Sequence, residues 1–255
     1  MLERLEEQTT LRVLIDRPQS GIVNMAIDEA ILQAVAANEV PATMRFYRWS
    51  EPTISLGYFQ KHDKLLGQDK VIQAMAVVRR QTGGGAILHD DELTYALILP
   101  LDKSADIEDT YRLVHDAFCA GLAACGVGAE YRGGGDGGHE RAQRGPFFCF
   151  ARTHRLDLMI GNDKLLGSAQ RRIKNAVLQH GSLILDRHFT QQPSAAACPA
   201  SKPPLDVQSL IATVAAAVSK GLGLRVVEGV LTGTEQQRQK ELHRKYAGDE
   251  WNRQR

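Results

Sequence analysis

Three stretches of the chain hold residue types able to do chemistry. RRQTGGGAILHD, Arg79 to Asp90, sets two arginines, three consecutive glycines and a histidine between the apolar runs AMAVV and LTYALILP. GPFFCFART places Cys149 among phenylalanines, and KLLGSAQ follows with Lys164 at its head. A thiolate is a strong nucleophile, a nearby cation favours it, and glycine lets a backbone approach a ligand closely. Each stretch also has an ordinary reading. A glycine-rich hairpin with solvated arginines would account for the first, although a tight turn needs only one or two glycines. A cysteine among aromatics commonly packs as a small hydrophobe. Two phosphate-binding readings fail on local pattern. A P-loop needs Lys-Ser or Lys-Thr after its glycines, and a dinucleotide fingerprint opens a helix, whereas AILHDDELTYALIL continues as strand. What remains open beside the hairpin is a backbone floor under a thin, uncharged ligand, with Arg80 as a charged fork at one end.

These residues need elements to hold them. LRVLI reads as a strand, and Ser20 caps a helix to about Ala37. MRFYRW and TISLGYF read as strands joined at the turn SEP. Ile107, Tyr111, Val114, Phe118, Leu122 and Cys125 form one helical stripe; Val207, Leu210, Ile211, Val214 and Val218 form another, with Gly221 as its terminator. RLDLMI and KLLGSAQ flank Gly161-Asn162-Asp163, a hairpin signal that would return Lys164 along the segment following Cys149. AVLQHGSLIL, Ala176 to Leu185, reads as a long strand, and a last helix spans about Thr234 to Tyr246. Strand runs with a few helices predict a mixed α/β fold in one domain, residues 1–255, without regular βαβ alternation. Residues 132–146 are rich in glycine and charge, residues 191–204 in proline and alanine, and both read as loops.

The totals exclude several classes. The chain has 255 residues, with 31 Lys+Arg against 30 Asp+Glu and a formal charge of +1, so it lacks the basic excess of a nucleic-acid binder. No apolar run approaches the ~20 residues of a membrane span, and the acidic start MLERLEEQTTLRV does not read as a signal peptide. Cys119, Cys125, Cys149 and Cys198 show no CxxC pairing and no disulfide density. A cytoplasmic, reducing location and no metal site are the expectation. Cys119 and Cys125 read as packing residues, Cys198 as an exposed loop residue, and Trp49 and Trp251 as core.

RRQTGGGAILHD resembles the arginine-glycine signature of the lipoate–protein ligase and octanoyltransferase superfamily, which shares its catalytic fold with biotin protein ligases. NMAIDEAIL, RFYRWSEPTISLGYFQ, KLLGSAQRRIKNAVLQHGSLILD and KYAGDEWN agree with that family in the same order. The resemblance implies mixed, mostly antiparallel sheets flanked by helices. It implies a tunnel for an eight-carbon acyl chain, with Arg80, Gly83, Gly84, Gly85 and His89 in its wall. Lys164, Gly167, Ser168 and Ala169 would face the reacting carbonyl, with His180 and Gly181 on the neighbouring strand. Burying each methylene contributes about 0.8 kcal/mol, so a C8 chain gains on the order of 5 kcal/mol before ordering costs.

The superfamily contains two chemistries. Ligases adenylate free lipoate or octanoate with ATP and Mg; transferases accept an octanoyl group already activated as a thioester on acyl carrier protein. The Cys-Phe stretch before KLLGSAQ resembles that of cysteine-dependent octanoyltransferases, which implies Cys149 as acyl acceptor and Lys164 as its catalytic partner. GSAQ in place of a ligase-like GSAY or GTAY leans the same way, as does the chain's stop at DEWNRQR without an accessory domain. The expectation is therefore a transferase with no cofactor. Its partners would be octanoyl-acyl carrier protein and a lipoyl domain, such as glycine cleavage H protein or a 2-oxoacid dehydrogenase subunit, with no nucleic acid and no membrane. Arg171, Arg172 and Lys174 are either a solvated face or a dock for an acidic carrier. The ATP-dependent ligase is the alternative.

Overall fold

The computed structural model describes residues 9–101, 106–133, 146–152, 154–199 and 204–255. Most of the glycine-rich stretch 132–146, and part of the Pro-Ala stretch 191–204, lie outside them. In chain order the elements are β1 (Thr10–Ile15), α1 (Gly21–Ala36), β2 (Ala42–Tyr47), β3 (Thr53–Leu56), α2 (Asp63–Leu66), α3 (Lys70–Gln73), β4 (Ala76–Arg79), β5 (Ile87–His89) and β6 (Glu92–Pro100). There follow α4 (Ile107–Ala124), β7 (Glu130–Tyr131), a single 3₁₀ turn at Cys149–Ala151, β8 (Leu158–Ile160), β9 (Asp163–Arg172) and β10 (Ala176–Ile184). The chain ends with α5 (Val207–Leu222), β11 (Arg225–Glu228), α6 (Gly233–Ala247) and α7 (Asp249–Asn252).

Eight strands form one sheet in the order β11-β1-β2-β6-β10-β9-β8-β7, and three form a second, β4-β3-β5. In the large sheet β1 runs parallel to β2 and to β11, and the remaining pairs are antiparallel. This is the mixed, mostly antiparallel α/β architecture expected. Alternation along β6 shows why helices cover both faces. Leu93, Tyr95 and Leu97 point into a core with Val114 and Phe118 of α4 and Leu210 and Val214 of α5. Ala96 and Ile98 point the other way, onto Met25, Ile27 and Ile31 of α1 and Tyr246 of α6.

The helix starts follow their caps. Ser20 Oγ accepts from Val23 N, and Thr232 with Glu235 makes a reciprocal capping box at the head of α6. Glu235 also pairs with the buried Arg12 of β1 and so ties the last long helix to the first strand. The strands on either side of SEP form as expected, and they lie in different sheets, β2 in the large one and β3 in the small one. Two local expectations fail. The run AILHDDELTYALIL splits at Asp90-Asp91 into β5 of the small sheet and β6 of the large one. Gly221 lies inside α5, where a Cβ would meet Leu113 Cδ1 at 2.3 Å; the helix stops instead on Gly223, with φ 65° in the left-handed region.

Candidate active site

The glycine run joins β4 to β5 and faces the segment containing Cys149. Ala86 N donates to Phe147 O at 2.9 Å, and Cys149 N donates to Ala86 O at 2.7 Å. A Cβ on Gly85 would stand 2.9 Å from both Cys149 N and Phe147 O, closer than side chains tolerate. Gly84 has φ 96°, and its carbonyl would lie 2.1 Å from a Cβ on Gly57. The physical demand on these glycines is therefore backbone against backbone: they admit the cysteine segment to the edge of the small sheet.

Where the two sheets meet there is a partly open cavity. Met25, Tyr47, Trp49, Ile87 and Phe150 supply apolar and aromatic wall, and Cys149 lines it as well. Of the residues named from the sequence, Arg80, His89, Gly167, Ser168, Ala169, His180 and Gly181 also line this space. Gly83, Gly84 and Gly85 are not among the lining residues but sit behind Arg80 and Cys149. Lys164 lies one layer back: its ammonium is 5.3 Å from the centre of the Phe150 ring, and a Cβ on Gly167 would be 2.6 Å from Nζ. At Gly181 a Cβ would clash with Ser168 Oγ at 2.4 Å and Tyr95 Cε1 at 2.6 Å, so glycine keeps the strands close beneath the cavity.

Charge is concentrated around the thiol. Lys164 is buried and donates to Asp157 Oδ2 at 2.9 Å. Burial pushes the Lys164 ammonium down, but the neighbouring Cys149 sulfur and Asp157 carboxylate outweigh it and hold it above its ordinary range. Burial lowers the Arg80 guanidinium to about 10, partly offset by the charge of Cys149. His89 is stacked on Trp49, with ring centres 3.7 Å apart, and bonds to Glu92 at 2.8 Å and Ser55 Oγ at 2.7 Å. Its burial outweighs Glu92 and keeps the imidazole below its ordinary value, hence neutral. His180 links Asp28, at 3.3 Å, to Thr82 Oγ1, at 2.6 Å, and so anchors the start of the glycine run to α1.

Sequence reasoning passed over several residues here. His115 of α4 is fully buried; Nε2 is 2.7 Å from Ser168 Oγ, and Nδ1 contacts the Leu156 carbonyl. Tyr95 Oη is 2.6 Å from the same serine oxygen, Gln179 Nε2 donates to Tyr95 Oη at 2.8 Å, and Gln170 Nε2 donates to Gln179 Oε1 at 2.7 Å. The signal for His115 was its spacing, four residues after Tyr111 and three before Phe118 on the apolar stripe. Trp49, read as core, is buried in the core against α1 and also lines the cavity, with Nε1 donating to Thr94 Oγ1 at 2.9 Å. Cys119 and Cys125 are half-buried against the core beside α4, as packing residues should be, and Cys198 is half-buried where exposure was expected. Among the described residues no group of three or more His, Cys, Asp or Glu side chains is placed to hold a metal. No described helix is long and apolar enough to cross a membrane.

Fold and site together define a class. Residues 20–243 match the lipoyl protein ligase A/B catalytic domain, and the chain belongs to that family. Over nearly its full length the chain is similar to transferases of this family. It is 35% identical to octanoyltransferase LipM of Moorella thermoacetica over 95% of this chain and 97% of that one. It is 32% identical to octanoyltransferase LipM of Brevibacillus brevis, over 94% and 98%. Among solved structures, lipoate-protein ligase A bound with ATP superposes with a TM-score of 0.74 at 22% identity, covering 96% of this chain and 98% of that one. At that identity the likeness speaks for the fold.

Proposed function

We propose that this protein is a cysteine-dependent octanoyltransferase that moves an octanoyl group from acyl carrier protein to a lysine of a lipoyl domain. Acyl transfer as the enzyme class follows from full-length relatives named octanoyltransferase. The observation that carries the reading is Cys149 in the wall of a largely apolar cavity, with two buried cations, Arg80 and Lys164, within range of its charge.

The Cys149 thiolate attacks the octanoyl thioester carbonyl, and the carrier's thiolate leaves with the electron pair of the broken C–S bond. The C8 chain lies against Met25, Tyr47, Trp49, Ile87 and Phe150, which exclude water from the new thioester. The lysine amine of a lipoyl domain then attacks, the amide forms, and Cys149 departs as thiolate to take up the amine's proton. Developing negative charge on the carbonyl oxygen meets the field of Lys164. Thioester exchange is close to isoenergetic and amide formation runs downhill, so the sequence needs no nucleotide. A lipoyl-domain acceptor is in keeping with a fold neighbour described as a bi-partite lipoate protein ligase with its E2 lipoyl domain from Thermoplasma acidophilum, TM-score 0.71 at 21% identity over 96% of each chain.

Incubation with octanoyl-acyl carrier protein, followed by intact mass and peptide mapping, tests this. The expected result is one octanoyl adduct on Cys149, absent in Cys149→Ala and discharged by a lipoyl domain. Modification of a lipoyl domain that requires ATP and free octanoate or lipoate, undiminished in Cys149→Ala, would overturn it in favour of a ligase.

A further inference from the structure

Arg80 is 2% exposed, and its fork is spent on oxygens that carry no formal charge. Nη1 donates to Ser55 O at 2.7 Å and Ser55 Oγ at 3.1 Å; Nη2 donates to Gly83 O at 2.8 Å and Gly85 O at 2.6 Å. Nε is buried with no hydrogen-bond partner. Among the described residues no carboxylate forms an ion pair with Arg80. The contrast with Arg79 is instructive, since Nε, Nη1 and Nη2 of that side chain all reach carbonyls. An enclosed cation without a counter-ion is costly unless an anion can arise beside it. One can. A Cβ on Gly84 would lie 2.9 Å from Arg80 Nη2 and 3.7 Å from Cys149 Sγ, so the two groups are no farther apart than the sum of those distances.

Lys164 is situated differently. Asp157 stands 2.9 Å from Nζ, with both side chains buried, so part of the ammonium's charge is already compensated. Resting on the reading of Cys149 as nucleophile, we propose that Arg80 supplies the uncompensated positive charge that holds Cys149 as thiolate, while the Lys164–Asp157 pair is left for the acyl carbonyl. Arg80 acts through Cys149 and is in that sense a positioning residue. The carbonyls of Ser55, Gly83 and Gly85 fix where its charge sits, which gives the TGGG loop a task beyond admitting the Cys149 segment. The proton of the thiol passes to solvent through the cavity mouth.

The test reads thiolate directly, without acyl transfer. Iodoacetamide alkylation of Cys149 is followed by peptide mass, and the rate at neutral pH is divided by the rate at strongly alkaline pH. In Arg80→Met this ratio is expected to fall about tenfold, the effect of losing one nearby buried charge. Arg80→Lys, which keeps the charge, should recover most of it. The double variant Lys164→Met/Asp157→Asn, which removes the pair as a unit, should stay within about twofold of wild type. An unchanged ratio in folded Arg80→Met, or a tenfold fall in the double variant, would overturn the proposal. Should Arg80→Met fail to fold in a thermal melt, the double variant decides alone. Loss of the octanoyl adduct would end the proposed reaction while leaving the alkylation ratios standing, so the two failures are distinguishable.

Discussion

Ser168 Oγ, in the cavity wall, lies 2.7 Å from Nε2 of the buried His115, and the direction of that hydrogen bond is fixed from the far side of the ring. The Leu156 carbonyl at Nδ1 can only accept, so Nδ1 bears the proton and Nε2 receives the serine's. Ser168 must then accept from Tyr95, and Tyr95 from Gln179. A one-way chain of donors therefore runs from Gln170 on β9 through His115, in the middle of α4, to the Leu156 carbonyl. It spends both ordinary capacities of the serine within the protein and holds it as a rigid part of the wall.

That chain requires neutral His115, and burial supplies it by lowering the imidazole to about 4. The folded value lies below the unfolded one of 6.5. The unfolded chain therefore binds the extra proton as pH falls from about 6.5 toward 4, and stability is lost across that window and constant above it. The loss attributable to His115 is on the order of 3 kcal/mol. His89 is lowered by burial too and adds slope of the same sign. Urea unfolding of wild type and His115→Gln between about pH 4 and pH 7 isolates the first contribution. The two curves should converge toward the acid end, and parallel curves would show that His115 takes up its proton alike in the folded and the unfolded chain.

Gly167→Ala is expected to slow transfer strongly with the fold intact. The new Cβ would stand 2.1 Å from Lys164 Cε and 2.6 Å from Nζ, atoms at the far end of a flexible side chain, so the lysine moves and the strand stays. A displacement near 1 Å from a productive geometry costs on the order of a hundredfold in rate. Steady-state kinetics should show that loss in kcat/KM, while a thermal melt within a few degrees of wild type would confirm that only the ammonium has been displaced.

Much of this arrangement could be read from residues, and the exceptions share a cause. Strand identity followed from local apolar runs, but the choice of sheet did not. Tyr47 and Thr53 flank one short turn, and only pairing of β3 with Val77 and Leu88, distant in sequence, puts that strand in a second sheet. The Gly161 turn that returns Lys164 along β9 was legible from the sequence. The counter-ion was not: Asp157 reaches Lys164 through a register shift at Leu158–Met159 that no local pattern announces. His115 was hidden by the same stripe that exposed its neighbours, since a buried polar residue on an apolar face declares itself only when its partners are known.

Asp157 and Lys164 should behave as one unit in stability. Each is about 5% exposed, so removing one partner strands a charge in the protein, at a cost of about 3–5 kcal/mol. Asp157→Asn is thus expected to lower the urea midpoint sharply, and Lys164→Met to do so comparably. The double variant leaves no stranded charge and should lose less than the sum of the two, with a coupling energy of about 2 kcal/mol. Strict additivity in the cycle would mean that the two side chains are held apart in solution and that Lys164 reaches the cavity as a free cation. The same double variant should have lost octanoyl transfer while keeping Cys149 alkylation, because the remaining thiolate still faces Arg80 but its thioester product has no ammonium to meet the carbonyl oxygen.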